Sequence, residues 1–407
     1  MSTQSELKEI VERMSYSFPW YDPELDGNSG NEGIVLEKLP LMTASKLETH
    51  YYTADNPMEQ INELNRYRTS GTSSNRRKTI FYSESDEAAY LGIKLDVFRA
   101  ILGTGGFRTA MADMGTGHAE ATAVDVFRRL GMEVESLSFR LPVEQHIERL
   151  KDFQPEVLYT MPSILERILL ASEEPASYGI RHVILVGEIA SPGWMRRAAE
   201  RLGIGVEQIT DTYGSIEIGT IAYFSHEHGR YVVVDGLIAE GISAEGLGAD
   251  MDPLPDEEQV LVLTSMVRDS FPALRYVTYD VVRDLRPIVV EGTLRQSFQS
   301  IVKRIGPDLK HGEKISIYDI EDVVYRHLGD ASVRVKVAGN ALRVYVYGSQ
   351  VVDPSLLERV RSDLEERTPE IGMMIRSGIL EGIQVIGSSF DDSLHRSSVK
   401  HKKIVYE

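Results

Sequence analysis

No cysteine occurs in the 407 residues. Disulfides, thiolate metal sites and a covalent thioester to the chain's own side chain are therefore excluded, and any thiol in its chemistry must come from a partner. No apolar run approaches the roughly 18 residues that a membrane span needs, so a soluble protein with no membrane partner is expected. The opening stretch MSTQSELKEIVERM carries mixed charge on an amphipathic pattern. It lacks the basic segment and apolar core of a secretory signal, and a cytoplasmic location is expected. Positive charge is in short supply: 44 Lys and Arg face 62 Asp and Glu, for a formal net charge of −18. That excess repels phosphate backbones at long range and argues against nucleic acid as a partner unless basic residues are concentrated somewhere. They concentrate in one stretch, HRSSVKHKK from His395 to Lys403, which on its own reads as a solvated, frayed tail.

What remains is ordinary globular material, 42% hydrophobic and 26% charged, in a chain too long for one compact core. An α/β fold with one large and one small domain is expected. From Thr79 onward helical patterns alternate with short apolar runs such as Val157–Thr160, His182–Val186 and Gln208–Asp211, the pattern of strands covered by helices. The run VILVG ends at Gly187, and SPGWMRRAAERLG reads as a helix closed by Gly203. Between residues 230 and 290 the segments RYVVVDGLIAE, QVLVLTSMV and ALRYVTYDVV are rich in β-branched residues and are parted by acidic, Gly/Pro-containing turns, which predicts a β-rich subdomain. Beyond Ser300 come a helix (IYDIEDVVYRHL), two strands (SVRVKVAG and ALRVYVYG), a helix (DPSLLERVRSDLEERT) and a strand (GIQVIG). That order predicts a small α+β domain of about 100 residues, with domains of 1–300 and 301–407.

Three segments carry candidate chemistry. In RTSGTSSNRRK, Arg68 to Lys78, a glycine and five hydroxyl residues precede a basic cluster. Backbone N–H groups and hydroxyls of this kind wrap phosphate oxygens while nearby cations neutralise them. The stretch lacks the G-x-x-x-x-G-K-[ST] spacing of the common phosphate loop, and a Ser/Thr/Gly-rich stretch alone is usually a surface loop. In DTYGSIEIG, Asp211 to Gly219, the Tyr213 ring could stack on a base and the Glu217 carboxylate could hold a hard cation such as Mg²⁺ between phosphates. In LRYVTYD, Asp280 follows a strand-like run, where a carboxylate could accept bonds from both ribose hydroxyls. Each of these, by itself, is also consistent with a buried tyrosine or a strand-ending carboxylate of no special role.

Their order and separation resemble the adenylate-forming superfamily and, within it, the phenylacetate–CoA ligase branch, from about Leu39 to the C-terminus. Ser70, Gly71, Thr72 and Ser73 fall on the SGTT of the family's SSGTTGKP, with Thr69 in the first serine slot. Ser74 stands where the family has glycine, and its proline is missing. DFQPEVLYTMPS, Asp152 to Ser163, is similar to the segment that lines the family's acyl pocket. Gly187 matches the glycine of the family's GAE, with Glu188 one place early. The family's Tyr-Gly-x-Ser/Thr-Glu becomes Tyr213-Gly214-Ser215-Ile216-Glu217, so a phosphate-touching hydroxyl is replaced by Ile216 and its role passes to Ser215. The family's RYRTGD becomes RYVTYD, with Tyr279 for glycine and bulk added beside the nucleotide. In IVKRIGPDLKHGEKIS, Lys303 or Arg304 stands for the hinge arginine and Gly312 for the glycine of the thiol-reaction loop. The family's GKAKRVID is echoed by VKHKKIVY, which puts Lys400 on the lysine that contacts carboxylate and α-phosphate.

The resemblance implies an ATP- and Mg²⁺-dependent acid–thiol ligase in which residues 1–300 bind ATP and a carboxylic acid and a mobile 301–407 carries Lys400. ATP contacts are expected from Thr69, Ser70, Gly71, Thr72, Ser73, Lys78, Gly187, Glu188, Tyr213, Gly214, Ser215, Asp280 and Lys303. Glu217 is expected to hold Mg²⁺, and Lys400, Glu217 and Gly312 to serve the reaction. An aromatic acid is expected as substrate. The acceptor is expected to be a carrier-protein phosphopantetheine, as for short biosynthetic relatives, with free CoA as the alternative; Arg396, Lys402 and Lys403 could steer an acidic carrier. The departures at Ile216, Tyr279 and the hinge keep a non-catalytic nucleotide-binding relative open. Three other features read as structural: His226 and His228 lack a third ligand, Gly103–Gly106 lacks a dinucleotide fingerprint, and His118 is equally a pocket or a surface residue.

Overall fold

The computed structural model describes residues 4–24, 34–68, 78–114, 118–247, 253–305, 317–328, 331–338, 341–348, 353–367, 371, 375, 381–389 and 404–406. Its longest described helix, Glu84–Leu102, starts where ESDE follows Ser83: the Ser83 hydroxyl accepts from the Asp86 amide and the Asp86 carboxylate accepts from the Ser83 amide. This reciprocal box satisfies two of the amides that every helix start leaves unpaired. The helix stops at Gly103, whose φ of +51° suits glycine. The GTGG run is thus a helix end, as its sequence context suggests.

That helix belongs to the first of two compact units, Met1–Gly103 with Thr212–Asp308. A hairpin pairs Asn65–Arg68 with Thr79–Tyr82. The expected β-rich region is a four-stranded antiparallel sheet in the order Leu237–Ile242, Glu258–Ser265, Tyr276–Arg283, Ser300–Arg304. Pairing of Ser300–Arg304 with the Tyr276–Arg283 strand embeds Asp280 within that strand rather than directly after it. A second antiparallel set runs through Gly219–Ser225, Arg230–Val233, Thr293–Phe298 and Arg286–Val290. Its terminal hairpin turns at Glu291-Gly292, both with positive φ (48° and 78°), the geometry of a two-residue turn that matches strand twist. Val289 and Leu294 are cross-strand partners there and are 61% and 62% exposed.

Arg268 organises the centre of this unit. It is 2% exposed, forms an ion pair with Asp86, lies 3.8 Å from the centroid of the Tyr82 ring, and donates to the Phe81 and Glu217 carbonyls at 3.0 Å each. Burial alone would raise the Asp86 carboxyl; the Arg268 charge and the Asp269 and Ser83 amides outweigh it and hold the group below the ordinary carboxylate range.

Lys94, on the same helix and 2% exposed, shows the opposite balance, because burial pushes its ammonium down to about 7. In the unfolded chain a lysine titrates near 10.4. Below pH 7 both states hold the proton and the slope is zero; between about 7 and 10.4 only the unfolded state holds it, so stability rises with pH. Lys94→Met should therefore stabilise the protein most at pH 7, and the difference from wild type should shrink by up to about 1.4 kcal/mol per pH unit toward pH 10. Chemical denaturation at pH 6, 7, 8, 9 and 10 tests this, and a difference independent of pH would contradict it.

The second unit, Thr104–Asp211 with Leu309–Glu407, holds parallel strands in the order Glu133–Leu137, Thr109–Asp113, Val157–Thr160, His182–Val186. Helices Val143–Phe153, Pro162–Ala171 and Pro192–Leu202 bury Leu150, Leu165, Ile168 and Trp194 into one apolar cluster with Leu158 and Val183. The helix from Pro192 ends at Gly203, as its sequence predicts. The strand expected at Gln208–Asp211 runs over Ile209–Ser215, because pairing with Gly219–Ser225 extends it past Asp211. In the C-terminal part, helices Ile317–His327 and Pro354–Arg367 accompany a sheet ordered Gly382–Ser389, Ala341–Gly348, Ala331–Ala338, Ile404–Tyr406. This is the expected small α+β arrangement. His395–Lys403 lie outside the described residues, and just beyond them Ile404–Tyr406 pairs in parallel with Val335–Val337, so the chain's end continues past that stretch as a strand. No helix among the described residues is long and apolar enough to cross a membrane.

Candidate active site

Gly214 explains how the Tyr213 segment is shaped. A Cβ there would sit 2.6 Å from the Gly219 carbonyl oxygen, so only glycine allows the two strands to approach as they do. Tyr213 is then directed at the Asp280 strand, and its hydroxyl donates to Asp280 Oδ2 at 2.5 Å. Burial first, and the Asp280 charge second, push the Tyr213 phenol well above its usual value. Asp280 is half-buried, and its own amide donates to Thr278 Oγ1 at 3.1 Å.

Across the strand pair, Asp280 lies opposite Arg304 and Val281 opposite Lys303. Arg304 Nε is 3.9 Å from Asp280 Oδ1, and Nη2 donates to the Thr278 carbonyl at 3.2 Å. The Asp280 charge holds the guanidinium above its ordinary value. Of the two candidates for the hinge cation, it is Arg304 that faces the carboxylate. A carboxylate framed by a phenol and a guanidinium on a strand can accept from a vicinal diol, with its remaining lone pairs as receptors.

The turn after Tyr213 is held by its backbone. The Ile216 carbonyl accepts from Tyr82 OH at 2.8 Å, the Glu217 carbonyl accepts from Arg268, and Ser215 Oγ accepts from the Ile218 amide at 3.2 Å. In this arrangement the Ser215 hydroxyl serves the turn. The half-buried Glu217 carboxylate is close enough for its charge to add to burial in raising the phenols of Tyr52 and Tyr276. No group of three or more His, Asp or Glu side chains among the described residues could enclose a metal ion. A single carboxylate on an anchored turn fits Mg²⁺, which keeps waters and substrate phosphates as its other ligands.

Thr69, Ser70, Gly71, Thr72 and Ser73 lie outside the described residues, as do Gly312 and Lys400. The flanks of the first group are described: Arg68 pairs with Thr79, so the intervening residues connect adjacent hairpin strands. Lys78 Nζ is 2.6 Å from Glu48 Oε1 and 4.5 Å from the Tyr52 ring centroid. These side chains, with Thr53 and Glu59, line a cavity of about 280 Å³.

In the second unit, Gly187 leaves the His182–Val186 strand with φ of +80°, a conformation that favours glycine. The Glu188 carboxylate accepts from both the amide and the hydroxyl of Ser163 at 2.9 Å. Glu188 thereby caps the start of the helix Pro162–Ala171, whose first two residues end the Asp152–Ser163 segment. The structure thus gathers Tyr213, Asp280, Arg304 and the Glu217 turn in one unit, and Glu188 with Ser163 in the other.

The comparisons with known proteins bear on this geometry. The family model for the fumarate–diaminopropanoate ligase C-terminal domain matches residues 310–391. Fumarate–(S)-2,3-diaminopropanoate ligase of Enterobacter agglomerans is 35% identical over 381 residues, covering 93% of this chain and 94% of that protein. The chain belongs to the family of that ligase, within the adenylate-forming superfamily. Phenylacetate–coenzyme A ligase of Thermus thermophilus is 24% identical over 305 residues, 68% of this chain and 64% of that protein. In fold, a 2-hydroxyisobutyryl-CoA ligase in complex with an acyl-adenylate is similar, with a TM-score of 0.75 over 99% of this chain and 88% of that one at 16% identity.

For an adenylate-forming ligase, several structural features are additions to what its motifs convey. Arg268 belongs to no motif, yet it holds the Glu217 turn. His146 and Asp113 form a buried pair, Nδ1 at 2.8 Å from Oδ1 and 2.9 Å from Oδ2, while Thr160 Oγ1 donates to the Asp113 carbonyl at 2.5 Å. No local pattern marks these two, 33 positions apart. His228 Nδ1 meets Ser225 Oγ at 2.9 Å across a tight turn, in keeping with a structural role. His118 is the first residue of the helix His118–Arg129.

Proposed function

We propose that this adenylate-forming ligase activates a small aliphatic dicarboxylic acid with ATP and passes the acyl group to the amino group of an amino acid. The observation that carries this reading is the end-to-end relationship to a fumarate–(S)-2,3-diaminopropanoate ligase, 35% over 93% of the chain. It outweighs the resemblance behind an aromatic acid, where identity is 24% over 68%. Transfer to a thiol, of CoA or of a carrier protein, is the second reading, favoured by that phenylacetate–CoA ligase relative.

In the first half-reaction a carboxylate oxygen bonds to the α-phosphorus of ATP and the bond to pyrophosphate breaks. Asp280 accepts the ribose hydroxyls, Tyr213 flanks the nucleotide and Arg304 fixes the Asp280 carboxylate. Residues 69–73 receive the phosphates, with Lys78 released from Glu48 as their cation. Lys400 neutralises charge at the reacting centre. Magnesium bound to Glu217 and the phosphates would supply further positive charge there. In the second half-reaction the acceptor's nitrogen bonds to the acyl carbon, AMP leaves and the nitrogen gives up a proton. Gly312, in a mobile domain that follows the Ser300–Arg304 strand, completes that step. With no cysteine in the chain, the acyl group passes from adenylate to acceptor without an enzyme thioester.

The test is acid-dependent exchange of labelled pyrophosphate into ATP across aliphatic dicarboxylic, monocarboxylic and aromatic acids, followed by mass analysis of products with amino acids, CoA and carrier proteins. A four-carbon dicarboxylate should support exchange and yield an amide. Exchange confined to aromatic acids, with thioester as the product, would transfer the assignment to the second reading.

A further inference from the structure

Tyr279 occupies a backbone position that disfavours it. Its φ is +62°, in the left-handed region that residues with a Cβ adopt only when the surroundings impose it. In the resembling motif this place belongs to glycine. Three interactions hold the tyrosine there. Its hydroxyl accepts from the Ala44 amide at 3.1 Å, its carbonyl accepts from the Ile305 amide at 2.8 Å, and its ring packs on the Val260, Val262 and Val277 cluster.

Each contact leads to an element beside Asp280. Ala44 begins the short helix Ala44–His50. Just before it, the Met42 amide donates to the Arg275 carbonyl at 2.9 Å and the Met42 carbonyl accepts from the Val277 amide at 3.0 Å. The residues before that helix thus run along the Asp280 strand, and the Tyr279 hydroxyl closes the contact. Ile305 directly follows Arg304, the cation 3.9 Å from the Asp280 carboxylate. A single residue therefore ties the Asp280 strand both to the residues at the start of the Ala44 helix and to the strand that carries Arg304.

We propose that Tyr279 is a positioning residue for Asp280, setting the direction in which its carboxylate meets the ribose hydroxyls of ATP. This rests on the reading of Asp280 as the ribose anchor. The tyrosine fills the left-handed position and adds, to a backbone bond that glycine would also make, a hydroxyl bond to Ala44 and packing on the valine cluster. The bulk introduced by the substitution is directed into the valine cluster and toward Ala44.

The test compares wild type, Tyr279→Phe, Tyr279→Gly and Asp280→Asn as full-length proteins. Calorimetric affinities for ATP, 2′-deoxy-ATP and 3′-deoxy-ATP are measured together with KM and kcat for ATP in pyrophosphate exchange and with Tm. Tyr279→Phe keeps the ring and loses the hydroxyl bond; its KM for ATP should rise about three- to tenfold, the range of one hydrogen bond, with kcat nearly held. Its preference for ATP over the deoxy nucleotides should shrink by a similar factor, and Tyr279→Gly should go further on both counts. If both variants keep the wild-type KM and ribose preference while only Tm falls, Tyr279 is a packing residue and the proposal is overturned. If Asp280→Asn keeps the full ribose preference, the ribose assignment of Asp280 fails, and the proposal fails with it.

Discussion

Asp280→Ala should lower kcat/KM for ATP in acid-dependent pyrophosphate exchange by about a thousandfold, with the fold intact. In the proposed site the carboxylate accepts two ribose hydroxyls, and hydrogen bonds to charged groups are worth about 1.5–3 kcal/mol each. Losing both removes about 3–6 kcal/mol of transition-state binding, two to four powers of ten in rate. The structural cost is smaller. Arg304 is left facing the gap, but its side chain is 55% exposed and can be hydrated, so no buried charge is stranded. Tyr213 loses its 2.5 Å partner, which accounts for a modest drop in Tm. Exchange kinetics beside a thermal melt separate the two effects, and an unchanged kcat/KM would remove Asp280 from the nucleotide site.

The second large effect is on stability. Asp86→Ala should destabilise the protein by about 3–5 kcal/mol, the usual cost of breaking a buried ion pair from one side. Arg268 is 2% exposed and Asp86 1%, so the guanidinium would lose its counter-charge in a place that water does not reach. The same carboxylate accepts from the Ser83, Asp269 and Ser270 amides, and those donors would lose it too. Because the Asp86 carboxyl is held below its ordinary value, its contribution is present in full at neutral pH. It is lost as the pH falls below about 4, the unfolded value, through the lower folded one. Urea unfolding of both proteins at pH 7 and at pH 3 measures this: the gap should be smaller at pH 3 than at pH 7, by up to about 1.3 kcal/mol. A gap under about 1 kcal/mol at pH 7 would mean that Arg268 finds other partners.

Much of the fold could be read from local pattern. The alternation of helical and strand-like runs gives the parallel strands at Val157–Thr160 and His182–Val186, and the expected helix, two strands, helix and strand after Ser300 occur in that order, between two further strands, Ser300–Arg304 and Ile404–Tyr406. These are short-range signals, set by side-chain periodicity and by residues such as Gly203 that stop a helix. The strand limits were not legible at Ser215 and Asp280, since both depend on partner strands elsewhere in the chain. The site was legible as a set of motifs but not as an arrangement. Nothing near Glu188 announces that its carboxylate accepts from Ser163, 25 residues away. Nothing near Glu217 announces that Arg268, 51 residues on, holds its carbonyl. Tyr279 is the instructive case. As a departure from a glycine motif it reads as obstruction, and only its φ and its hydroxyl partner at Ala44 turn it into a support.

The hairpin Arg286–Val290/Thr293–Phe298 bears on how the protein behaves at high concentration. Its outer strand, Arg286–Val290, is the last of its sheet among the described residues, and an edge of that kind, here beside Val289 and its partner Leu294, can accept a strand from a neighbouring molecule. Arg286, Glu291 and Arg295 break up that apolar surface with charge, the device by which sheet edges discourage pairing. High salt screens those charges and kosmotropic salts strengthen apolar contact, so such buffers should favour association of this protein, of net charge −18, at this sheet edge.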